Sequence, residues 1–227
     1  MSARLGQPRL HLRMIDSTNE RARTLAAAGA AHGTLVTAAE QSAGRGRQGR
    51  RWSAPAGQAL LMSLVLRRPP RLLPLAAAVA VAEVARDDAR IKWPNDVLLD
   101  DRKVAGILVE GRPQEGWAVL GIGLNVAIRL DDLPDELRTT ATTLGLAPPD
   151  VERVLGRLLE ALEGWLGRGE RAILEAWRAR DALRGRDVRW AGGTGRAAGI
   201  DDDGRLLVDV AEGRRTALDA GEVHLLR

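Results

Sequence analysis

The sequence predicts an α+β protein with a central mixed or antiparallel sheet flanked by helices, followed by a small C-terminal β-barrel of SH3-like type. Apolar strand segments alternate irregularly with Ala-rich helical segments up to Asn125, and two strands around residue 100 read as an antiparallel pair. From Gly185 onward, five short strand patterns separated by glycine turns fit within 43 residues. We therefore predict two domains, residues 1–184 and 185–227.

The composition is that of a soluble globular protein with a real core. Of 227 residues, 45% are hydrophobic and 28% are charged, and the net charge of +4 favours anionic ligands. The absence of cysteine excludes disulfides, thiol nucleophiles and thiolate metal sites, and three dispersed histidines make a structural zinc site unexpected. Without a long apolar run or a signal-type N-terminus, we expect a cytoplasmic protein that does not contact membranes.

The first elements are a strand over Leu10–Ile15 and a helix that begins after Ser17. Ser17 followed three residues later by Glu20 predicts a capping box, and the Ala-rich segment ends at Gly29. Ser17 has two readings here, a helix cap or part of a site, because a helix N-terminus also presents unpaired N–H groups to a ligand.

An arginine- and glycine-rich segment, Glu40–Trp52, joins two predicted strands, Thr34–Ala39 and Ala59–Leu66. Glycine allows the backbone to approach a ligand closely, and arginine donates to carboxylate and phosphate oxygens. Such segments also occur in disordered nucleic-acid-binding tails. Because both ends here are held by core strands, we predict a loop that binds an anion. The second strand is nearly all apolar, which predicts burial on both faces.

The next segment predicts a helix and then several strands that carry polar or glycine residues near their ends. The helix covers Leu72–Arg86 with Pro74 in its first turn. The strand segments are Ile91–Lys92, Val97–Leu99, Lys103–Glu110 and Trp117–Asn125. Gly121 and Gly123 inside the last strand indicate close approach of a ligand or another backbone.

Beyond residue 125 the pattern predicts packing elements without chemistry. Asp131–Thr143 is polar and predicts a loop with a short helix. A helix capped by Asp150 carries an apolar stripe of 3.6-residue period up to Leu166, and a second helix covers Glu170–Leu183.

Two lysines and three asparagines are rare exceptions in a chain dominated by Arg, Ala, Leu and Gly. They are Lys92, Lys103, Asn19, Asn95 and Asn125. A lysine ammonium is a compact charge that reaches a single crowded oxygen, which arginine cannot do as easily. These five residues are therefore candidates for function, with chance as the alternative.

Five motifs in this order and spacing resemble the biotin–protein ligases, also called biotin–[acetyl-CoA carboxylase] ligases. The motifs are Asp16–Asn19, the Glu40–Trp52 loop with GRGRQGRRW, Lys92–Asp96, Arg102–Glu110 and Gly121–Asn125. Each motif alone is weak or moderate, but together they are specific, and the C-terminal segment resembles the small SH3-like domain of that family. The resemblance implies the family's catalytic fold over residues 1–184.

The resemblance implies a two-step ATP-dependent ligation with Mg²⁺ and no prosthetic group. Biotin's carboxylate attacks the α-phosphate of ATP to give biotinyl-5′-AMP and pyrophosphate. A lysine of a biotin carboxyl carrier domain, of acetyl-CoA carboxylase or a related carboxylase, then attacks the anhydride. About ten residues precede the first strand, so we expect no DNA binding and no repressor role. The oligomeric state is open, with a homodimer allowed.

The resemblance also implies a role for each matching residue. Lys103 and Arg47 would be catalytic, and Asn95 and Asp96 would hold Mg²⁺. Biotin would contact Ser17, Thr18, Asn19, Gln41, Gly44, Arg45, Gly46, Arg47, Lys103, Gly106 and Gly121. The nucleotide would contact Arg45, Arg47, Arg50, Trp52, Lys92, Asn95, Asp96, Lys103 and Asn125.

Two other functions compete with this interpretation. A lipoate or octanoate ligase or transferase would share the fold but not the paired Lys92–Asp96 and Arg102–Glu110 motifs. A nucleic-acid-binding protein would use the Arg/Gly loop and the barrel, but the chain has no Phe or Tyr for stacking and nearly balances 34 basic with 30 acidic residues.

Overall fold

A computed structural model describes residues 4–219 and 221–226 of the chain as two sheets with helices packed against the larger one. The larger sheet contains β1 (Arg9–Ile15), β2 (Leu35–Gln41), β3 (Ala59–Arg67), β4 (Arg90–Lys92), β5 (Asp96–Leu99), β6 (Arg102–Arg112) and β7 (Trp117–Asn125). The smaller sheet contains β8 (Asp187–Trp190), β9 (Gly193–Ile200), β10 (Leu206–Asp209), β11 (Arg215–Leu218) and β12 (His224–Leu225). The helices are α1 (Thr18–Ala27), α2 (Leu73–Ala85), α3 (Asp135–Arg138), α4 (Asp150–Leu166) and α5 (Glu170–Ala179).

The larger sheet is mixed, as predicted, with the strand order β1-β2-β3-β7-β6-β5-β4. Strands β1 and β2 are parallel and every other neighbouring pair is antiparallel. Strand β3 is central and buried from Ala59 to Leu66, which confirms the prediction for this apolar segment. The β5–β6 hairpin turns at Asp100 and Asp101, both in the left-handed region with φ of 50° and 59°.

Helices α2 and α4 pack against one face of this sheet, and α5 packs against α2. Helix α2 is buried along most of its length, and Pro74 lies in its first turn as predicted. The apolar stripe of α4 faces the core through Val154, Leu155, Leu158, Leu162 and Trp165. These helices therefore form a scaffold behind the sheet.

Three local predictions need correction: the cap of α4, the end of α5 and, in the next paragraph, the capping box of α1. Asp150 is the first residue of α4 and follows Pro149 at the cap position, and its carboxylate accepts from the Ala147 N–H at 3.0 Å. Helix α5 ends at Ala179, because Asp181 and Ala182 leave the helix to pair with Ile91 of β4.

Helix α1 starts after Ser17, but only half of the predicted capping box forms. The Ser17 Oγ accepts from the Glu20 N–H at 3.4 Å. The Glu20 carboxylate pairs instead with Arg23 and Arg45, and the Ser17 N–H donates to Asp16. The Glu20 carboxylate therefore forms ion pairs with Arg23 of the same helix and Arg45 of the loop and does not cap the helix.

The smaller sheet is antiparallel with the order β11-β10-β9-β8-β12, and each of its five strands overlaps one of the five predicted short strand patterns. Its β9–β10 turn packs on the larger unit, where Trp93 Nε1 donates to the Gly204 carbonyl at 3.1 Å and Arg178 Nη2 donates to the Ile200 carbonyl at 3.0 Å. The largest hydrophobic cluster contains buried side chains of both sheets, and two smaller clusters contain further side chains of the larger sheet. The division into domains at residue 185 stays a prediction.

Candidate functional site

A cavity of about 680 Å³ lies between the larger sheet, the Arg/Gly loop, the segment after β7 and the smaller sheet. Its lining includes every predicted site residue except Gly44. These residues are Ser17, Thr18, Asn19, Gln41, Arg45, Gly46, Arg47, Arg50, Trp52, Lys92, Asn95, Asp96, Lys103, Gly106, Gly121 and Asn125. Gly44 lies behind the lining, where the Trp52 carbonyl and the Gln41 amide leave no space for a side chain.

The floor of the cavity is a hydrogen-bonded group of neutral polar side chains. Gln41 Oε1 accepts from Thr18 N at 2.7 Å and lies 3.0 Å from Thr18 Oγ1. Ser63 Oγ lies 2.9 Å from Thr18 Oγ1 and 3.0 Å from Asn19 Oδ1. Thr18, Asn19 and Ser63 are all buried, so this group offers both donors and acceptors in a low-dielectric environment.

Ser63 was missed by sequence reasoning, although a signal for it existed. It is the single polar side chain in the otherwise apolar segment Ala59–Leu66 of a doubly buried strand. The register places it opposite Gly121 of β7. A buried hydroxyl at such a position requires partners, and Thr18 and Asn19 supply them.

The Arg/Gly loop is folded back on itself. Arg45 and Arg51 form an isolated antiparallel bridge, and the Gly46 N–H donates to the Arg50 carbonyl at 2.7 Å. Gln48 and Gly49 turn the chain in the left-handed region, with φ of 55° and 74°. The fold of the loop therefore decides which arginine points in which direction.

The arginines of this loop have different environments. Arg47 Nη1 donates to Asn95 Oδ1 at 3.3 Å inside the cavity. Arg45 forms ion pairs with Glu20 at 2.8 Å and with Glu110 at 3.0 Å. Arg51 donates to the Ser42 carbonyl. Arg47 is therefore directed at the cavity, while Arg45 is held by carboxylates.

Two lysines and one carboxylate lie at the end of the cavity beyond the floor. Lys103 Nζ is 2.6 Å from Asp96 Oδ1 as an ion pair, in an orientation that forms no hydrogen bond. Burial lowers the pKa of Lys92, and Asp96 opposes this effect. Burial also lowers the pKa of Arg47, again opposed by Asp96. Half-buried, closely spaced cations of this kind attract anionic ligands more strongly than fully exposed cations do, because water screens them less.

Trp52 forms a wall of the cavity against two glycines. A Cβ on Gly106 would lie 2.9 Å from the Trp52 ring, and one on Gly123 would overlap the ring. Lys103 Nζ lies 5.6 Å from the centroid of this ring, within cation–π range. The Asn19 side chain fills the corresponding space beside Gly121. The predicted close approach at Gly121 and Gly123 is therefore made, in this structure, by side chains of the chain itself.

The segment after β7 closes another side of the cavity and was not assigned from sequence. Lys103 N donates to the Thr140 carbonyl and Thr142 N donates to the Lys103 carbonyl, both at 2.8 Å. The Asn125 amide is buried and donates to the Thr142 carbonyl at 2.8 Å. The lining residues from this segment are Leu133, Leu137, Thr139, Thr140 and Ala141. None of these five residues belongs to one of the sequence motifs, so their position at the cavity is known only from the fold.

The smaller sheet also reaches the cavity. Arg186, Glu222 and His224 line it, and Glu222 forms an ion pair of 2.7 Å with Arg50 of the Arg/Gly loop. Sequence reasoning placed no site residue in this region, because nothing local in the sequence connects residue 222 with residue 50. The C-terminal unit therefore completes the site.

The cavity has the chemistry for an elongated ligand with a neutral polar head and an anionic tail. The head would meet the floor around Gln41 and Ser63, and the tail would meet Arg47, Lys92 and Lys103. Within residues 4–219 and 221–226, no group of three or more His, Cys, Asp or Glu side chains could hold a metal ion. No helix among the described residues is long and apolar enough to cross a bilayer.

The sequence matches two described protein families. Residues 11–126 match the biotin/lipoate A/B protein ligase family, and residues 185–226 match the biotin protein ligase C-terminal domain. The first match contains all five motifs and every predicted site residue. The second contains the strands that bring Arg186, Glu222 and His224 to the cavity.

Relatives and a solved structure agree with these matches. The chain is 38% identical to a biotin–[acetyl-CoA-carboxylase] ligase of Mycobacterium tuberculosis, covering 93% of this chain and 86% of the relative. It is 35% identical to the bifunctional ligase/repressor BirA of Bacillus spizizenii, covering 92% of this chain and 71% of that protein. The fold is similar to a biotin protein ligase from Aquifex aeolicus in complex with biotin and ATP, with a TM-score of 0.82, 29% identity and coverage of 97% and 99%.

The five sequence motifs meet in one cavity. This site agrees with the family match, with the similarity to relatives over most of their length and with the shared fold. The chain therefore belongs to the biotin protein ligase family.

Proposed function

We propose that this chain ligates biotin to a lysine of a carrier domain in two ATP-dependent steps. One observation carries the proposal: a single cavity joins a neutral polar floor to a cluster of cations formed by Arg47, Lys92 and Lys103. The neutral ureido ring of biotin needs both donors and acceptors, and its carboxylate and the phosphates of ATP need cations. The Aquifex aeolicus protein, described in complex with biotin and ATP, supports both substrates.

In the first step an oxygen of the biotin carboxylate attacks the α-phosphorus of ATP. The bond from the α-phosphorus to its bridging oxygen breaks, and pyrophosphate leaves with biotinyl-5′-AMP as the other product. Two anions must meet, so preorganised cations are the main resource for this step. We assign Lys103 and Arg47 to the reacting carboxylate and α-phosphate. Arg50, Lys92 and Asn125 are assigned to the remainder of the nucleotide.

In the second step the neutral amine of a carrier lysine attacks the carbonyl carbon of the anhydride. An amide bond forms, AMP leaves, and the amine gives up a proton. The name of the Mycobacterium tuberculosis relative supports a biotin carboxyl carrier domain of acetyl-CoA carboxylase or a related carboxylase as the acceptor. Trp52 and the Arg/Gly loop would exclude water from the intermediate, which hydrolyses readily.

Magnesium belongs to the proposal as an ion that accompanies ATP. The amide oxygen of Asn95 and the carboxylate of Asp96 are hard donors of the type that Mg²⁺ prefers. Asp96 already pairs with Lys103, and Asn95 accepts from Arg47, so these two residues offer few free oxygens. This donor set fits an ion that keeps several waters and is bound mainly by phosphates. When bound, it would neutralise charge on the phosphate oxygens.

The test is pyrophosphate release by the purified protein with ATP, Mg²⁺ and one acid at a time. We expect release with biotin, and a mass spectrum of the protein should show retained biotinyl-5′-AMP. Release with octanoate or lipoate but not with biotin would overturn the proposal in favour of the lipoate branch of the wider family. Adding a biotin carboxyl carrier domain should then transfer the label to its lysine.

Three further parts of the proposal concern the context of the protein. A cytoplasmic location and the division at residue 185 come from the sequence and its resemblance, whereas both leave the oligomeric state open and only allow a homodimer. Light scattering with and without biotin and ATP tests the dimer, and limited proteolysis near residue 185 tests the domain division.

A further inference from the structure

A carboxylate outside the predicted site connects the floor of the cavity to the Arg/Gly loop. Glu110 lies on β6, and its Oε2 accepts from the Asn19 Nδ2 at 2.5 Å. Its Oε1 lies 3.0 Å from Arg45 Nη2 and 3.8 Å from Arg23 Nη1. One carboxylate thus has a neutral amide on one oxygen and two guanidinium groups near the other.

The contacts of Glu110 extend a chain of hydrogen bonds that begins at the floor. Asn19, the partner of Glu110, is buried, and its Oδ1 accepts from Ser63. Ser63 Oγ in turn lies 2.9 Å from Thr18 Oγ1, whose hydroxyl proton can point to it, and the Thr18 backbone N–H donates to Gln41. Any ligand that binds to the floor therefore touches groups that are linked through Asn19 to Glu110. The same network continues outward to the first arginine of the loop.

The arrangement also explains why Arg45 differs from Arg47. Glu110 and Glu20 hold the Arg45 guanidinium from two sides, at 3.0 Å and 2.8 Å. Arg45 is therefore an anchor for the start of the loop, where the Arg45–Arg51 bridge fixes the hairpin. With the base of the loop fixed, Arg47 is carried toward Asn95 in the cavity.

We propose that Glu110 is a positioning residue that couples occupancy of the polar floor to the conformation of the Arg/Gly loop. It acts through Asn19 and Arg45 and does not touch the reacting atoms. The proposal rests on the proposed function, because the loop must be in place for pyrophosphate release. Half-buried carboxylates with a charged and a buried partner contribute more than exposed ion pairs, because removing one partner leaves a buried group unsatisfied. The side chain of Glu110 is 21% exposed.

The first variant is Glu110→Gln, which keeps an acceptor for Asn19 and removes one of the two carboxylate charges that hold Arg45, leaving Glu20 in place. We expect the KM for biotin in pyrophosphate release to rise about tenfold or more, with a smaller change in kcat. Trypsin provides a second readout, because the loop contains four arginines at positions 45, 47, 50 and 51. In the wild type biotin should slow cleavage of the loop, and in the variant this protection should be reduced severalfold.

The matched control is Glu152→Gln on α4. Glu152 also binds an arginine, Arg9, through two contacts of 2.7 Å, but its side chain is 62% exposed and does not line the cavity. We expect its KM, kcat and trypsin protection to equal those of the wild type. A general effect of removing a Glu–Arg pair would change both variants alike.

A double-mutant cycle with Arg45→Gln separates coupling from a structural effect. If Glu110 acts through Arg45, adding Glu110→Gln to the Arg45→Gln background should raise the KM for biotin much less than it does alone. If Glu110→Gln fails to fold, Arg45→Gln alone is assayed by trypsin cleavage with and without biotin, and protection equal to that of the wild type overturns the proposal.

The outcomes distinguish failure of the proposed function from failure of the proposed role of Glu110. A wild-type protein that releases no pyrophosphate with biotin overturns the proposed function. An active wild type whose Glu110→Gln variant keeps its KM and trypsin protection overturns only the role of Glu110. A loss of thermal stability with unchanged KM and protection would show that Glu110 is merely structural and would equally overturn it.

Discussion

The ammonium of Lys103 lies between the carboxylate of Asp96, at 2.6 Å, and the ring of Trp52, whose centroid is 5.6 Å away. This position places the charge of Lys103 at the junction between the floor and the cationic end of the cavity. A compact ammonium fits here, since a Cβ on Gly106 would approach Lys103 Nζ to 3.2 Å.

We expect Lys103→Ala to reduce pyrophosphate release by about 10²- to 10³-fold, the usual loss when one preorganised donor is removed from a transition state. The fold should persist, because the side chain is 32% exposed and its loss leaves no buried cavity. Lys103→Arg should not restore activity, because the larger planar group does not fit beside Trp52. Formation of biotinyl-5′-AMP by Lys103→Ala at the parental rate would show that the assignment of Lys103 is wrong.

Gly123→Ala should impair the site through Trp52. The added Cβ would overlap the indole ring, and overpacking of this kind costs about 1–3 kcal/mol. We expect either a lower free energy of unfolding or a displaced Trp52 with at least a tenfold loss of activity. Urea unfolding and pyrophosphate release together measure both effects.

Gly156→Ala is the control for that substitution. Gly156 lies inside α4 with no atom within 4 Å of the added Cβ, so alanine should stabilise the helix by roughly 0.5–1 kcal/mol without changing activity. Equal changes in the free energy of unfolding and in activity for Gly123→Ala and Gly156→Ala would contradict the close contact between Gly123 and Trp52.

The buried carboxylate of Asp181 should make stability depend on pH. Its Oδ1 accepts from the Leu183 and Arg184 N–H groups, and its Oδ2 has no hydrogen-bond partner among the described residues. Burial raises the pKa of Asp181 in the folded protein above its ordinary value of 3.8. The folded state therefore binds the proton more tightly than the unfolded state, so this group destabilises the fold as pH rises through the raised pKa.

Asp181→Asn should remove this cost while keeping an acceptor for Leu183. We expect a Tm a few degrees above that of the wild type at pH 8, because about 1 kcal/mol moves the Tm by ~2–4 °C in a chain of this size. The difference should shrink as pH falls through the raised pKa of Asp181, because the wild-type carboxyl then takes up its proton in the folded state. Thermal unfolding across this range measures it, and a constant difference would contradict the role of ionisation.

The positions of the lysines predict where biotinyl-5′-AMP, the proposed intermediate, can acylate the chain itself. Lys92 and Lys103 are the only lysines among 227 residues, and both line the cavity. Incubation with excess biotinyl-5′-AMP at pH 8–9 should therefore label the N-terminal amine but no other site outside the cavity. Arg171→Lys, at a position whose side chain is 92% exposed on α5, should gain one label. Peptide mapping by mass spectrometry checks both results, and labelling of an internal peptide of the wild type outside the cavity would contradict the prediction.

Local patterns were enough to predict most of the strands and helices. Hydrophobic periodicity located β3 and α4, because burial of one face or two leaves a direct pattern in the sequence. The ends of elements were less well predicted. Helix α5 stops at Ala179 because the following residues pair with β4, and such a long-range contact has no local signal.

The sequence by itself determined the chemical content of the site: the Arg/Gly loop, the two rare lysines and the motif order that identifies the family. Tertiary structure decided how these groups are used. It brought Glu222 to Arg50 and Glu110 to Arg45, turning four similar arginines of one loop into groups with different partners. The physical reason is that a residue's type fixes its charge and hydrogen-bonding capacity. Its direction and partners depend on contacts between segments that are far apart in the chain.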